Sequence, residues 1–310
     1  MAQTREDLEK KLAALEKIAV DADPKTAAKQ RAEGKLTARE RIERLFDAGS
    51  FVEEFMLAET QCSDFGMAEK RVPSDGVVTG FGKIDGRPAY VYSQDRAVLA
   101  GSVGSAHAEK IAYVIQTARK VGVPVIGLND SAGARIQEGL SVTSAIGKIF
   151  FENSIASGCI PQISAIMGPC IGVGSYSPAL TDFILQVENS SQMFITGPAV
   201  IKEVLGETVT MEELGGARIH SEVSGVTDLV AKSDDECLLA IRRLLGFLPS
   251  NFESMPPRKS PNDDPARSVE ALEKIVPEDM KRAYNILQVI KTLVDEAEFL
   301  ELKAKFARNL

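Results

Sequence analysis

The sequence predicts an α/β fold built around a buried, mainly parallel sheet. Between residues 123 and 245, short apolar runs rich in β-branched side chains alternate with stretches of helical periodicity, which is the pattern of successive βαβ units. Several of the runs end in loops rich in glycine or serine, and ligands of α/β folds gather at such strand ends. A chain of 310 residues, 44% of them hydrophobic, can form one large domain with appendages and bury a full apolar core.

Two amphipathic helices are predicted in the first fifty residues. In the first helix, over residues 4–18, apolar positions recur at helical spacing: Leu8, Leu12, Leu15 and Ile18. Thr37 and Glu40 form a capping box that opens the second helix, with Ile42 and Leu45 facing inward. We assign residues 1–50 to an N-terminal helical segment that serves packing or oligomer contacts.

A β-hairpin and a helix come next. Gly76–Ile84 and Ala89–Tyr92 predict two paired strands, because the Asp85-Gly86 dipeptide between them is a strong hairpin signal. Glu109–Lys120 places its isoleucines and valine on one face and therefore predicts a helix.

The alternation after this helix supplies the rest of the sheet. We predict strands at Val123–Leu128, Ile160–Met167, Gln192–Ile195 and Gly225–Val230. We predict helices at Ser141–Ser157, from about Ser177, at Pro198–Leu205 and at Asp234–Leu245. No charged residue lies between Asn153 and Thr181, but prolines and polar residues interrupt the stretch, so we interpret it as buried strand, loop and helix rather than as a membrane span.

The composition changes after residue 248. Prolines, Asn, Asp and Ser concentrate in residues 249–277, which is typical of a surface linker. A helix is predicted at Glu278–Glu296, and Phe299–Leu302 begins a further apolar element. We therefore assign residues 51–248 to the core domain, and residues 249–310 to a linker, a helix and the start of a further structural element.

Charge and cysteine content exclude several classes of protein. The net charge is −8 and the isoelectric point about 5.1, whereas nucleic-acid-binding domains carry a basic excess. The N-terminus is charged throughout and does not resemble a signal peptide. The cysteines are too far apart for a CxxC pair or a zinc knuckle, and we interpret them as buried thiols of a cytoplasmic protein: Cys62, Cys159, Cys170 and Cys237.

Three loops are positioned to carry chemistry: Leu99–Gly104, Ser131–Gly139 and Gly168–Ser177. In the third, glycines allow close approach to a ligand, and Pro178 suits the first turn of a helix. The free N–H groups at that helix start could hold a developing oxyanion. The alternative is a tight turn needed only for packing. No GxGxxG fingerprint for a dinucleotide is present.

Side chains offer weaker alternatives. Ser102 could be a hydrolase nucleophile with His107 as its base. Glu138 could be an acid/base group, or it could form a structural ion pair with Arg135. Residues 168–181 contain no carboxylate, so paired acid/base carboxylates beside the oxyanion donors are not visible, which argues against simple hydration chemistry.

Seven motifs resemble one known family. They are Asp64-Phe-Gly-Met67, Asp75-Gly-Val-Val-Thr-Gly80, Gly127-Leu-Asn-Asp-Ser-Ala-Gly-Ala-Arg-Ile-Gln-Glu-Gly139, Met167-Gly-Pro-Cys170, Tyr176-Ser-Pro-Ala-Leu-Thr-Asp-Phe183, Met193-Phe-Ile-Thr-Gly-Pro198 and Glu212-Glu-Leu-Gly-Gly216. In order and length they resemble the biotin-dependent acyl-CoA carboxyltransferases, which include propionyl-CoA carboxylase β subunits, the transcarboxylase large subunit and the carboxyltransferase subunit of methylmalonyl-CoA decarboxylase. The resemblance runs from about residue 5 to the end.

The resemblance implies a crotonase-like ββα spiral (the ClpP/crotonase fold) that binds an acyl-CoA. The backbone N–H groups of Gly172 and Val173 would hold the thioester enolate, although the family usually has two glycines there, so the bulk of Val173 bears on acyl-chain preference. The implied substrate-contacting residues are Ala100, Gly101, Ser102, Gly133, Ala134, Arg135, Cys170, Ile171, Gly174 and Tyr176. Biotin on a separate carrier protein would be the cofactor, and no metal is implied.

The family also implies partners. Its subunits carry two crotonase-like domains, so residues 249–310 would include the opening of a second, missing carboxyltransferase domain. A homotrimer or hexamer is expected, together with a biotin carboxyl carrier protein, a propionyl/methylmalonyl-type substrate and no nucleic acid. No transmembrane segment is expected, although a decarboxylase complex could be membrane-associated. Two other functions stay open: a stand-alone hydratase or isomerase using Glu138, and a non-catalytic acyl-CoA-binding or oligomerisation module.

Overall fold

The computed structural model describes residues 4–21, 23–260, 264, 266–267, 269–279 and 281–308. The strands are β1 Val52–Glu54, β2 Val77–Ile84, β3 Arg87–Gln94, β4 Val125–Ser131, β5 Gln162–Ile171, β6 Phe183–Val187, β7 Gln192–Phe194 and β8 Leu229–Ala231. The helices are α1 Arg5–Asp21, α2 Pro24–Ala32, α3 Ala38–Leu45, α4 Ser105–Val121, α5 Ser141–Ala156, α6 Val173–Tyr176, α7 Pro198–Leu205, α8 Met211–Gly215, α9 Asp234–Leu245, α10 Ala271–Ile275 and α11 Ile286–Leu293.

The sheet is antiparallel at one edge and parallel elsewhere, in the order β1-β2-β3-β4-β5-β6-β8. Besides β4, strand β5 pairs with two further strands: residues 163–166 pair with β6 and residues 169–171 pair with β7. Its last residues therefore leave the main line of the sheet and reach the loops that follow β4. The α/β fold class predicted from the sequence is confirmed.

The hairpin and the capping box form where the sequence places them. Asp85 and Gly86 both have positive φ angles, 50° and 77°, as the tight turn between right-twisted strands requires. Thr37 accepts a hydrogen bond from the Glu40 backbone, and the Glu40 side chain accepts one from the Thr37 backbone, so α3 begins at Ala38.

Helices cover both faces of the sheet. Strand β4 is buried along its whole length, which explains why its first four residues, Val125–Leu128, carry no polar side chain. On one face α3 and α9 pack against it through residues such as Ile42 and Ile241. On the other face α4 and α5 pack through residues such as Ile115 and Ile149. Helix α3 of the N-terminal segment thus contributes to the same core as the sheet, whereas Leu8, Leu12 and Ile18 of α1 are 51%, 44% and 50% exposed.

Two elements differ from the prediction. The helix expected from about Ser177 begins earlier, at Val173, and lasts one turn, and residues Phe183–Val187 form strand β6 instead. A short apolar run buried on both sides cannot be assigned to helix or strand from periodicity alone. The helix expected at Glu278–Glu296 spans only Ile286–Leu293, where the Asn285 side chain accepts from the Leu287 N–H and caps it.

Smaller differences lie at element ends. Strand β8 begins at Leu229 rather than Gly225, whose φ of 68° places it in a turn. The proline-rich stretch contains the short helix α10, and its Pro261 and Pro265 lie outside the described residues, as does Met280 within the helix expected at Glu278–Glu296. Across the described residues, we find no helix with the length and apolar character needed to span a membrane.

Candidate functional site

Backbone hydrogen bonds join the loop after β3 to the loop after β4. The Val103 N–H donates to the Gly133 carbonyl at 2.8 Å, and the Arg135 N–H donates to the Val103 carbonyl at 2.9 Å. The Ser131 hydroxyl donates to the Gly101 carbonyl at 2.7 Å. Two of the three predicted loops therefore form one continuous surface.

The third loop packs directly against this surface. A Cβ atom placed on Gly133 would lie 2.7 Å from the Ile171 carbonyl oxygen, and one on Gly174 would lie 3.3 Å from the Ser131 Cβ. Only glycine at position 133 allows the end of β5 to approach this closely, and its φ of 91° also favours glycine. The structure thus brings together the three loops that the sequence singled out.

The loop after β3 is held in an unusual backbone conformation. Leu99, Ala100 and Gly101 have φ angles of 48°, 55° and 65° in succession. Left-handed non-glycine residues cost on the order of 1 kcal/mol or more each and cluster at functional sites. Ala100 is exposed at this point, although its carbonyl accepts from the Ala132 N–H at 3.1 Å.

The start of α6 presents two free amides, but they are not both the predicted ones. Gly172 has a φ of 55° and precedes the helix, and its N–H donates to the Phe194 carbonyl at 3.2 Å. The N–H groups of Val173 and Gly174 occupy the first turn and meet no acceptor in the described part of the chain. The geometry therefore favours Val173 and Gly174, rather than Gly172 and Val173, as the donors.

The Val173 side chain faces the interior and not the mouth of the site. It is buried within the cluster that includes Val103 and Ile149, and it lines a small internal cavity together with Tyr92. The bulk that distinguishes this position from glycine is therefore directed at α4, α5 and the sheet.

Arg135 is buried and fully engaged by the protein. Its Nη1 lies 2.6 Å from Asp75 Oδ1 and 3.0 Å from Glu138 Oε1. Its Nη2 and Nε donate to the carbonyl and hydroxyl oxygens of Ser102, at 2.8 and 3.2 Å. The guanidinium joins the loops to each other, so its side chain is not available to a CoA phosphate.

Glu138 forms a structural ion pair with Arg135, which is one of the two roles that the sequence left open; the other was an acid/base group. Its carboxylate accepts from the Ser105 N–H at 2.7 Å and from the Thr60 hydroxyl at 2.8 Å, besides Arg135. Burial raises the pKa of this carboxyl, but the Ser105 and Thr60 hydrogen bonds and the Arg135 charge together hold it below its usual range. Glu138 therefore stays ionised and has no free oxygen placed for proton transfer.

The arrangement around Ser102 is not that of a hydrolase. The His107 ring is buried, with Nδ1 3.0 Å from the Asp75 carbonyl and Nε2 3.3 Å from the Gln94 side-chain nitrogen. Burial and the nearby Arg135 charge lower the pKa of His107 to about 3. Both ring nitrogens are in use, and the Ser102 hydroxyl accepts from Arg135 instead, so Ser102 has no base.

The remaining predicted residues divide into exposed and buried ones. Ala134 and Tyr176 are exposed beside the loops, and Ile171 is half-buried. Cys170 is fully buried, and burial raises the pKa of its thiol to about 12, which makes it unreactive. The Cys170 contribution to the site is its carbonyl, which accepts from the Ser175 hydroxyl at 2.7 Å.

Sequence reasoning did not identify three buried side chains that support these loops, namely Asp75, Gln94 and Asp130. Asp75 and Asp130 lie inside the motifs quoted above, and this was the one signal by which the sequence could have identified them. Their ion-pair partners are distant in sequence: Arg135 is 60 residues from Asp75, and Lys35 is 95 residues from Asp130. Within the described residues, no group of three or more His, Cys, Asp or Glu side chains is placed to hold a metal ion.

Comparison with known proteins shows which family this chain belongs to. The model of the carboxyl transferase domain family matches residues 29–310. The chain is 50% identical to the methylmalonyl-CoA decarboxylase subunit alpha of Veillonella parvula over 310 residues, covering 100% of this chain and 61% of that protein. It is 49% identical to the mitochondrial propionyl-CoA carboxylase beta chain of Mus musculus over 283 residues, covering 91% of this chain and 52% of that protein.

A solved structure has the same fold. The transcarboxylase 12S crystal structure, described as a hexamer assembly and containing hydrolysed methylmalonyl-coenzyme A, superposes with a TM-score of 0.95 at 43% identity. The match covers 100% of this chain and 61% of that one. This chain therefore spans about three fifths of the length of that protein and of the decarboxylase subunit.

Proposed function

Because this chain belongs to the carboxyl transferase domain family, we propose that it forms the acyl-CoA half of a biotin-dependent carboxyltransferase. The observation that carries the proposal is the pair of free amides, Val173 and Gly174, at the point where three loops converge. Such preorganised donors stabilise the negative charge that develops on a thioester oxygen, and each is worth about 10²–10³ in rate.

The reaction suited to this site forms an enolate without a protein base. As the α-proton leaves, the electrons of the C–H bond move onto the thioester oxygen, which Val173 and Gly174 would hold. The enolate carbon then forms the new C–C bond to CO₂, and the reverse sequence releases CO₂. Carboxybiotin on a carrier protein would supply the CO₂ and, after its release, the ureido nitrogen that accepts the proton.

The titratable side chains near the donors support an external proton acceptor. Glu138 is ionised and bound on both oxygens, and His107 is neutral with both nitrogens engaged. A stand-alone hydratase or isomerase needs an acid/base group that these residues do not provide. The geometry therefore favours carboxyl transfer over the hydratase alternative.

Exposed apolar side chains on and beside these loops support a partner on this face. Ile136, Leu140 and Ile195 are 82%, 89% and 73% exposed, and Ile195 follows the Phe194 carbonyl that binds Gly172. Large apolar side chains left this exposed fit a surface that another protein covers. We propose that a second carboxyltransferase domain and the biotin of a carrier protein close the site here, in a homotrimer or hexamer.

The substrate class and compartment follow as further parts of the proposal. Relatives named for propionyl-CoA and methylmalonyl-CoA favour a short acyl-CoA of that type. The free thiols, of which Cys170 and Cys237 are buried, suit a reducing compartment and a cytoplasmic location.

The test is carboxyl transfer from methylmalonyl-CoA to free biotin. We expect transfer by a protein that contains both this chain and the second domain, and none by these 310 residues alone. Calorimetry with propionyl-CoA should show binding to the chain in either form. Transfer by the isolated chain would contradict the half-site proposal, and absence of binding at millimolar thioester by folded protein would contradict the acyl-CoA assignment.

A further inference from the structure

All three loops meet at Asp130, a buried acidic residue. A Cβ on Gly101 would lie 2.3 Å from the Asp130 carbonyl oxygen, and one on Gly168 would lie 2.0 Å from its Oδ1. The Asp130 N–H donates to Gln94 Oε1 at 3.1 Å. Asp130 also directly precedes Ser131, whose hydroxyl binds the Gly101 carbonyl. Any displacement of Asp130 is therefore transmitted to all three loops.

The Asp130 carboxylate is fully buried, and its closest cation is Lys35. Lys35 Nζ lies 2.7 Å from Asp130 Oδ2, and the lysine side chain is 7% exposed. Arg41 Nη2 and Arg96 Nη1 are each 3.4 Å from the carboxylate. Arg41 is committed elsewhere, because its Nε binds Asp234 at 2.8 Å and its Nη2 donates to the Met167 carbonyl at 2.9 Å. Arg96 is partly exposed to solvent, which weakens its contribution.

Lys35 belongs to the N-terminal segment and reaches the site from outside the sheet. It lies between α2 and α3, and its N–H donates to the Gln30 carbonyl at 2.9 Å. The capping box at Thr37 begins α3 two residues later. The lysine is thus held at its backbone by local structure while its ammonium group crosses to the end of β4.

We propose that Lys35 is a positioning residue for the oxyanion donors at Val173 and Gly174. A buried carboxylate that loses its closest cation moves toward the remaining ones or changes its bonding, because an incompletely paired charge is costly in the interior. Lys35 keeps Asp130 seated against Gly168, and the strand from Gly168 leads through Cys170 to the donors. The inference rests on the proposed carboxyl transfer, and it assigns part of the catalytic alignment to the first fifty residues.

The experiment compares variants of the full-length enzyme with its second domain and carrier. Lys35→Met should lower kcat for transfer by about 10- to 100-fold, since a misplacement of about 1 Å can cost 10²-fold. KM for methylmalonyl-CoA should change less than about threefold, because the donors act mainly in the transition state. Lys35→Arg, which keeps the charge, should recover part of kcat.

Lys148→Met is the matched control. Lys148 also pairs with a carboxylate on a neighbouring helix, Glu109, but both side chains are about half exposed, so this variant should leave kcat and KM unchanged. Thermal unfolding of each variant gives the folded fraction, and kcat is expressed per folded molecule.

The outcomes separate the two proposals. A wild-type enzyme that transfers no carboxyl group contradicts the proposed function, whereas an active wild type with an equally active, folded Lys35→Met variant overturns the role of Lys35. If Lys35→Met does not fold, the double variant Lys35→Met/Asp130→Asn removes the carboxylate charge together with its closest cation. Recovery of folding without recovery of kcat supports the positioning role, and recovery of both overturns it.

Discussion

The Gly172 amide and the Phe194 carbonyl are joined by a 3.2 Å hydrogen bond across the end of β5 and β7. The Gly172 N–H, one of the two that the family resemblance assigns to the oxyanion hole, is therefore already hydrogen-bonded within the protein. The unpaired amides lie one residue further along the chain, at Val173 and Gly174, and these are the donors that we propose. Substitutions at Val173 test this assignment, because they can remove either its amide hydrogen or its side chain.

Val173→Pro should remove one oxyanion donor without breaking any existing hydrogen bond. Val173 is the first residue of α6, a position where proline is well tolerated. We expect kcat of the full-length enzyme to fall by about 10²–10³-fold. Val173→Ala is the control, because it also shortens the side chain but keeps the amide. A folded Val173→Pro enzyme with wild-type kcat would show that this amide is not a donor.

Val173→Gly should destabilise the protein without widening its choice of acyl chain. The valine side chain is buried against Val103 and Ile149, so its loss leaves a cavity and adds backbone freedom. We expect the free energy of unfolding to fall by about 2–4 kcal/mol, as measured by denaturant titration. The ratio of kcat/KM for propionyl-CoA and butyryl-CoA should stay constant. A changed ratio with unchanged stability would place the side chain at the substrate.

Glu138→Gln should affect stability and not the pH dependence of catalysis. The carboxylate binds Ser105, Thr60 and Arg135, and its loss should cost about 1–3 kcal/mol. Because the pKa of Glu138 is lowered in the fold, this stability is present above the unfolded value of about 4.3. It is lost as the pH falls through the folded value, so the difference between wild type and variant should shrink in acid. Loss of a limb from the pH–rate profile, with stability retained, would restore Glu138 as an acid/base group.

Lys110 should make the free energy of unfolding depend on pH in the alkaline range. It donates to the Ser74 carbonyl at 3.0 Å and to the Val77 carbonyl, and burial lowers its pKa to about 8. The unfolded chain, with a lysine pKa of about 10.4, therefore binds more protons than the folded one across the interval from pH 8 to that value. The free energy of unfolding of the wild type should rise with pH there, relative to Lys110→Met. Urea titrations at pH 7, 8, 9 and 10 measure this difference, and a constant difference would contradict the lowered pKa.

Local signals in the sequence were sufficient for much of the architecture. The Asp85-Gly86 turn, the Thr37 capping box, and the helices Pro198–Leu205 and Asp234–Leu245 form as predicted, because neighbouring residues decide turns, caps and amphipathic faces. Strand β6 was missed and the helix at Glu278–Glu296 was overextended, since burial on both faces removes the periodic signal and only packing distinguishes a short apolar run in a sheet from one in a helix.

The sequence by itself determined the α/β class, the three glycine-bearing loops and the family of this protein, because those depend on residue order and local spacing. Only the tertiary structure decided that Gly172 is consumed by Phe194, that Val173 points inward, and that Arg135 and Glu138 bind each other and the loops. It also decided that Lys35 meets Asp130, 95 residues away. Hydrogen bonds, burial and ion pairs of this kind join residues distant in sequence, and no local pattern records which partners the folded chain will bring together.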